Sequence, residues 1–379
     1  MRELKKVLLV TNVPQTYRIP LFNEIAAQLK EKNIALKVVF ASDGYKRRKA
    51  LIDLSEIKFD YEILKSLKFN LGDVEKTIFT YGGLNKVIRN YKPQRIIVAG
   101  YSFAAMKIFM RAITDKSVRF IIWSGSLEFP GRYDSLFRKM IRRILIGKAS
   151  GFIAYGSKAK DYLTSMGAQP GKVSIGINTV DTTFYREETN RRRSGNYEGM
   201  KRLLYVGYLV PRKNVGKLIG IIEMLAKTRN DFELHILGDG SDRQNLEAMV
   251  KSKNLGDRII FHGFVQKKEL PEHFAGSIAF LFQTDFDIWG LVLNEAMAAG
   301  IATLSSTNAG ATFDLITEGK TGFAVDYNNP QTVLEKINYL LDNPEKAKEI
   351  GKNAQDAIDQ RASIVISAAG FIKSILQSD

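Results

Sequence analysis

The chain of 379 residues contains no cysteine. That excludes disulfides, thiolate zinc sites, iron–sulfur clusters and thiol nucleophiles, and it suits a reducing compartment. Histidine is nearly absent too, with three residues, His235, His262 and His273. A multi-histidine metal cage is therefore not expected, and no metal ligand is assigned. Proline is sparse at 9 residues, and no apolar run reaches the ~18–20 residues of a bilayer span. The opening stretch MRELKKVLLVTNVP has one short apolar run and is expected to be neither a leader nor an anchor. RNP patterns and zinc-finger spacings are missing as well, so no nucleic-acid partner is expected.

What is present is an ordinary globular composition, 45% apolar and 25% charged, on a length that suggests two domains. The net charge is +16, and it is one-sided. Residues 1–185 hold 32 Lys and Arg against 15 Asp and Glu, while residues 186–379 hold 24 against 25. Such asymmetry points to a polyanion facing the first half.

Short β-rich runs alternate with helical periodicity in both halves. Strands are expected at Lys6–Val10, Ala35–Phe40, Arg95–Ala99, Phe120–Trp123 and Phe152–Tyr155, with helices such as Ile19–Lys30 and Phe103–Thr114 between them. After a polar stretch, REETNRRRSGNYEGM at 186–200, strands resume at Arg202–Val206, Glu233–Leu237, Arg258–Phe261, Ile278–Phe282 and Ala302–Ser305. Their helices are expected at Lys217–Lys227, Arg243–Lys253, Leu291–Ala299 and Pro330–Asp342. This reads as an α/β chain of two doubly wound parallel-sheet domains facing a cleft, at 1–185 and 201–361, with 186–200 as linker. A last helix, about 362–379, is expected to pack back on the first domain.

Several motifs fail on inspection. Gly238-Asp239-Gly240 opens like a dinucleotide fingerprint, but Arg243 stands where its third glycine belongs. Gly319-Lys320-Thr321 ends like a P-loop without the first glycine, since Asp314 is there. Gly100-Tyr101-Ser102-Phe103-Ala104 misses the last glycine of a nucleophile elbow. Asp285-Phe286-Asp287 has a spacing that can hold a metal–nucleotide, a pattern common by chance.

One constellation survives. In Asp287-Ile288-Trp289-Gly290-Leu291-Val292-Leu293-Asn294-Glu295-Ala296-Met297-Ala298-Ala299-Gly300, two carboxylates stand eight residues apart. The first follows a strand and the second rides the next helix. Gly290 admits a ligand close to the backbone, and the amides of Leu291 and Val292 open a helix, a place suited to phosphate. Glu295 could accept ribose hydroxyls; a plain amphipathic helix with a solvated glutamate remains open on spacing alone.

The full string resembles the E-x7-E signature of retaining glycosyltransferases of family 4, the glycosyl transferases group 1 on a GT-B fold. The resemblance extends to Tyr205–Asn214 with Gly207, Arg212 and Lys213, to Leu237–Gly240 with Gly238, to Phe261–Val265 with Phe264, and to Ala309–Ile316 with Gly319–Phe323. In the first half it takes in Thr11–Phe22, Ile153–Ala159 and Asn178–Asp181. It implies a nucleotide-sugar co-substrate, UDP-linked by default, and a glycan or lipid-linked acceptor in cell-surface polysaccharide synthesis. Asp287, Lys213 and Arg212 would be catalytic without a metal or other cofactor. Gly207, Gly238, Phe264, Gly290, Leu291, Val292 and Glu295 would bind the nucleotide sugar. Tyr17, Arg18, Trp123 and Glu128 would lie on the acceptor side. The chain departs from the family in having Asp287 where glutamate is usual, Tyr208 where arginine is frequent, and no histidine before position 235. A nucleotide-sugar 2-epimerase of the same fold, or a non-catalytic membrane-associated relative, is the alternative.

Residues 132–148, RYDSLFRKMIRRILIGK, place Leu136, Phe137, Met140, Ile141, Ile144 and Leu145 at helical spacing among Arg138, Lys139, Arg142, Arg143 and Lys148. This is the pattern of an in-plane helix on an anionic membrane, which would put the protein peripherally on the inner face of the cell membrane. A core-packed helix with a solvated basic side is the alternative. The basic run Lys46-Arg47-Arg48-Lys49 could assist.

Overall fold

A computed structural model describes residues 4–44, 54–70, 77–115, 117–128, 135–193 and 200–377. The basic run at 46–49 and residues 132–134 of the amphipathic segment lie outside them. The chain divides into two units, Met1–Val180 with Ile364–Asp379, and Asp181–Ser363.

The first unit is built on β1 (Lys6–Thr11), α1 (Ile19–Glu31), β2 (Ala35–Phe40), β3 (Asp60–Ile63), a small hairpin of β4 (Lys68–Asn70) and β5 (Thr77–Phe79), α2 (Leu84–Tyr91), β6 (Arg95–Ala99), α3 (Phe103–Thr114), β7 (Arg119–Ser124), α4 (Leu136–Lys148), β8 (Gly151–Ala154), α5 (Ser157–Ser165) and β9 (Val173–Ile175). Seven strands form a sheet in the order β3-β2-β1-β6-β7-β8-β9. Its pairs are all parallel, with β1 in register between β2 and β6 (Leu9 opposite Val38 and Ile97). Parallel central strands are covered on both faces, which is why Val7 to Val10 and Ile96 to Val98 are unbroken apolar runs rather than alternating ones.

The second unit runs α6 (Thr182–Arg192), β10 (Lys201–Val206), α7 (Val215–Ala226), β11 (Phe232–Leu237), α8 (Arg243–Ser252), β12 (Ile259–Gly263), α9 (Leu270–Ala275), β13 (Ala279–Phe282), α10 (Leu291–Ala298), β14 (Ala302–Ser306), α11 (Gly310–Leu315), β15 (Phe323–Val325), α12 (Pro330–Asp342) and α13 (Pro344–Ala362). Its parallel sheet has the order β12-β11-β10-β13-β14-β15. The order reverses between β10 and β13, the switch point where the strand ends of such a sheet leave room for a ligand. A cluster including Leu203, Leu218, Ile222, Leu234, Ile236, Leu281, Leu304 and Ile337 fills the core.

Two sequence expectations change. The stretch expected as a linker, 186–200, begins inside α6, whose N-terminus Asp181 caps through the Phe184 amide. Arg193, just past that helix, donates to the carbonyls of Ala299 and Gly300 at 2.7 and 3.1 Å, tying α6 to the end of α10. The boundaries at 185/186 and 361/362 accordingly move to 180/181 and 363/364. The polar composition reads as linker because α6 shows no strong apolar stripe; tertiary anchoring, not amphipathicity, holds it. The last helix, α14 (Ile364–Gln377), lies with the first unit against α1, β8 and β9. Ser367 Oγ donates to the Ile177 carbonyl at 2.6 Å, and a Cβ on Gly370 would fall 2.0 Å from the Ile175 oxygen. Only glycine permits that approach. Among the described residues, no helix is long and apolar enough to cross a membrane.

Candidate functional site

In the second unit the segments after β10, β13 and β14 meet at the switch point. The chain leaves β13 through buried Gln283 and Thr284 and then presents Asp287, which forms a single parallel bridge with Ala309. Its amide donates to the Asn308 carbonyl at 3.0 Å, and its carbonyl accepts from Gly310 at 3.1 Å. The backbone of Asp287 is thus locked before its side chain does anything.

Lys213 and Arg212 come from a short helical turn, Pro211–Lys213, entered by a proline with fixed φ and left through Asn214 in the left-handed region (φ 43°). Lys213 Nζ donates to Asp287 Oδ2 at 2.5 Å and also lies 5.2 Å from the centre of the Phe282 ring. Arg212 Nη1 is 3.8 Å from the same oxygen and donates to the Phe286 carbonyl at 3.2 Å. The Trp289 amide donates to Asp287 Oδ1 at 3.2 Å. Burial alone would raise the Asp287 carboxyl, but the Lys213 charge and hydrogen bond, with Arg212 and the Trp289 amide, hold it below the usual carboxylate range. Lys213 itself is only 5% exposed, so its amine is committed to this pair rather than to solvent.

Gly290 caps α10 at φ 97°, and a Cβ there would meet the Phe282 ring at 2.4 Å. The position needs glycine twice over, for backbone conformation and for space. Leu291 and Val292 follow on the first turn, where an amide has no carbonyl one turn back. Trp289 is buried and donates from Nε1 to Asn294 Oδ1 at 2.9 Å, which pins the loop to the helix it precedes.

Glu295 stands one turn further along α10. Burial pushes its carboxyl up to about 7, although the Tyr185 hydroxyl and the Lys267 charge pull the other way. Tyr185 comes from α6, one residue before the stretch read as a linker, and no sequence motif singled it out. Gly207 and Gly238 end β10 and β11. A Cβ on Gly238, whose φ is 146°, would lie 1.8 Å from the Gly207 oxygen, so the two strand ends touch through bare backbone. Phe264 follows β12 and is half-buried. Tyr208, the departure from the family, is half-exposed beside these groups in sequence.

Asp285, the other half of the D-x-D spacing, faces elsewhere. It accepts from Lys217 Nζ and Asn214 Nδ2, both at 2.7 Å, and from Gln283 Nε2 at 3.1 Å. Those three donors make it a brace for the Arg212–Lys213 turn and leave it unsuited to a cation.

In the first unit, Tyr17, Arg18 and Trp123 come together and Glu128 does not join them. Arg18 donates to Tyr155 Oη at 2.8 Å and Thr11 Oγ1 at 3.2 Å, and its guanidinium lies 4.4 Å over the Trp123 indole and 5.4 Å from the Tyr17 ring. Trp123 is only 1% exposed, packed on Phe22, Tyr155 and Phe371. Its placement on the acceptor side is corrected: it supports Arg18 from within the core and cannot itself meet a ligand. Glu128 is exposed and lies 3.9 Å from Lys139 on α4. Tyr155 was missed, although it lies within Ile153–Ala159, a motif singled out in the sequence; its ring would collide with any Cβ at Gly125.

The three histidines, given no role from their separate sequence positions, also come together. One ring nitrogen from each lies within 4.8 Å of those of the other two.

Comparison with known proteins agrees with the architecture. Residues 186–357 match the family model for glycosyl transferases group 1. An uncharacterized glycosyltransferase, YqgM, of Bacillus subtilis is 25% identical over 215 residues, covering 56% of this chain and 57% of that protein. The sulfoquinovosyl transferase SQD2 of Arabidopsis thaliana is 29% identical over 46% of this chain and 34% of its own length. These matches span less than two thirds of either relative. Among solved structures, Anabaena Alr3699/HepE in complex with UDP superposes with a TM-score of 0.75 at 17% identity, covering 98% of this chain and 100% of that one. The sucrose-phosphate synthase of Thermosynechococcus elongatus gives 0.76 at 16%, covering 99% and 100%. The fold is GT-B, and residues 186–357 carry the match to the glycosyl transferases group 1 family.

Proposed function

We propose that the chain is a retaining glycosyltransferase that moves a sugar from a nucleotide sugar, a UDP-sugar, to a glycan or lipid-linked acceptor of the cell surface. The observation that carries this reading is the Asp287–Lys213–Arg212 cluster lying at the amino end of α10, with Glu295 one turn along. Two fixed cations and two helix-opening amides suit a diphosphate, and two carboxylates suit sugar and ribose hydroxyls. The UDP bound in the Anabaena neighbour supports uridine as the base.

In the transfer, the bond between the anomeric carbon and the diphosphate oxygen breaks, and the acceptor oxygen bonds to the same face of that carbon. The acceptor proton passes to the departing phosphate oxygen, so no protein base is needed. Lys213, Arg212 and the amides of Leu291 and Val292 stabilise the charge growing on the diphosphate, work that needs no metal. Asp287, fixed at its backbone and by Lys213, keeps a lone pair on each oxygen for sugar hydroxyls. Glu295, ionised when it accepts from ribose, gives up part of its burial penalty to the ligand.

The first unit would supply the acceptor side, with Arg18 and Tyr17 as the surface and Trp123 and Tyr155 as its support. It would also dock on an anionic membrane on the cytoplasmic side. On α4, Leu136 and Phe137 are 87% and 65% exposed, and Met140 and Ile144 are about half exposed. Only Leu145 and Ile146 of that helix are buried, which counts against a core-packed helix. The neighbouring α3 adds exposed Phe103, Met110 and Ile113. Exposed Arg138, Arg143 and Lys148 flank these side chains, the mixture an in-plane helix needs. A lipopolysaccharide galactosyltransferase among the structural neighbours and a phosphatidylinositol monomannoside mannosyltransferase among the sequence relatives support acceptors of this kind.

The first test is a melting-temperature panel with UDP, GDP and ADP, each with magnesium and with EDTA, read against ligand-free chain in the same buffer. Stabilisation by UDP alone, equal in both buffers, is expected. No shift with any nucleotide sinks the transferase reading.

A further inference from the structure

We infer that His235, His262 and His273 form a binding site for one divalent transition-metal ion, zinc or a metal of similar preference, at the edge of the second sheet. The three residues come from β11, β12 and α9, and the ring nitrogens converge within 4.8 Å. His235 Nδ1 and His262 Nε2 are 2.9 Å apart, with the rings stacked at 4.8 Å, and the His273 ring meets that of His262 edge-on at 5.0 Å. Zinc–imidazole bonds of about 2.0–2.1 Å put tetrahedral donors roughly 3.3 Å apart, so the set must readjust around an ion, the 2.9 Å His235–His262 pair opening slightly. Two of its members can do so: His262 is exposed and His273 half-buried, while His235 is fixed in the sheet.

A second observation is independent of that convergence. Nε2 of His235 lies 3.2 Å from Glu233 Oε2, two residues away on the same face of β11. A carboxylate on the outer nitrogen fixes the tautomer, leaving the Nδ1 lone pair aimed at the other two rings. Metal-bound imidazoles are held in this way. The surrounding charge is mixed: Arg202 on β10 opposes a cation, while Glu233, Glu269 and Glu272 favour it.

Three imidazoles and no thiolate select zinc, nickel, copper or cobalt over magnesium or calcium, which prefer oxygen. Exposure of His262 leaves a fourth position for water. The ion would clamp edge strand β12 to β11 and to α9, and so steady the Gly263–Phe264 turn that follows β12. This assignment stands whether or not the chain transfers sugars.

The test uses the full chain without an affinity tag, stripped with EDTA and dialysed. Calorimetry with Zn2+ should show one saturable equivalent, and Co2+ should develop the visible bands of a tetrahedral site. His262→Ala, at an exposed position, should melt as the parent does in EDTA yet lose more than about 100-fold in zinc affinity, as should His273→Ala. Glu233→Gln should cost about tenfold. Zinc should raise the melting temperature of the parent and leave His262→Ala unmoved. Failure to saturate at one equivalent, affinity undiminished in both histidine variants, or an equal response to Mg2+ overturns the assignment.

Discussion

The two units share one architecture and use their surfaces in opposite ways. In the second unit the functional candidates sit at strand ends, and their charges are matched side chain to side chain: Asp287 with Lys213, Asp285 with Lys217 and Asn214, Glu295 with Tyr185. In the first unit, exposed basic residues of α4 stand beside apolar side chains that are exposed among the described residues. A preorganised ion-paired site suits one small charged ligand. A diffuse basic and apolar face suits an extended anionic surface. The +17 and −1 halves read from the sequence are thus two kinds of electrostatics as well as two amounts.

The sharpest way to break the comparison is at the backbone contact beneath the second unit's site. Gly238→Ala would force a Cβ into the Gly207 carbonyl and should cost about 3 kcal/mol or more, seen as insolubility or a collapsed melting temperature. A normal melt would mean the strand ends are looser than the structure has them.

Next in size is Lys213→Ala. It leaves a buried carboxylate with Arg212 as its remaining cation, so about 2–3 kcal/mol of stability should go, and transfer should fall by roughly 100-fold or more. Adding Asp287→Ala should return part of the stability and none of the activity. Additive stability losses in that cycle would show that the pair does not interact.

Glu295 offers a test by pH. Its folded pKa, about 7, lies above its unfolded value near 4.3, so the folded state holds the extra proton between them. Stability from this group is therefore fully present below about pH 4.3 and declines as pH rises towards 7. Glu295→Gln should flatten that decline and melt a few degrees above the parent at pH 8 without ligand, while binding UDP about tenfold more weakly. A parent profile unchanged by Glu295→Gln would mean the carboxyl is solvated after all.

The smallest effect is expected from the first unit. Replacing Arg138 and Arg143 with Glu should lower association with anionic vesicles by about tenfold or more, with melting temperature and UDP response unchanged. Unaltered sedimentation would remove the membrane from the reading and leave the basic face without a partner.

Much of this was legible in the sequence because periodicity and glycine placement are local. Helices such as Phe103–Thr114 and Pro330–Asp342 have the bounds that spacing gives, and the strand cores are apolar runs that parallel sheets demand. The places of Gly290 before α10 and of Glu295 on it were legible because both follow from the spacing along one helix. Tyr185 was not, because it meets Glu295 only through the packing of α6 on α10, which no local pattern records. Trp123 was misplaced for the converse reason: a residue at a strand end points either into the core or out of it, and composition does not say which. Asp285, already discounted as a metal ligand because its spacing is common by chance, is held by Lys217, 68 residues away.

The sequence alone determined the class of architecture, the basic and neutral halves, and the carboxylate–glycine–helix motif, since each is written in composition or in spacing over one or two elements. Only the tertiary structure decided which carboxylate meets which cation, that Trp123 is a support, and that three histidines spread over 39 positions share one corner. The physical reason is that parallel crossovers bring together strand ends far apart in the chain, and no local pattern records where those ends will meet.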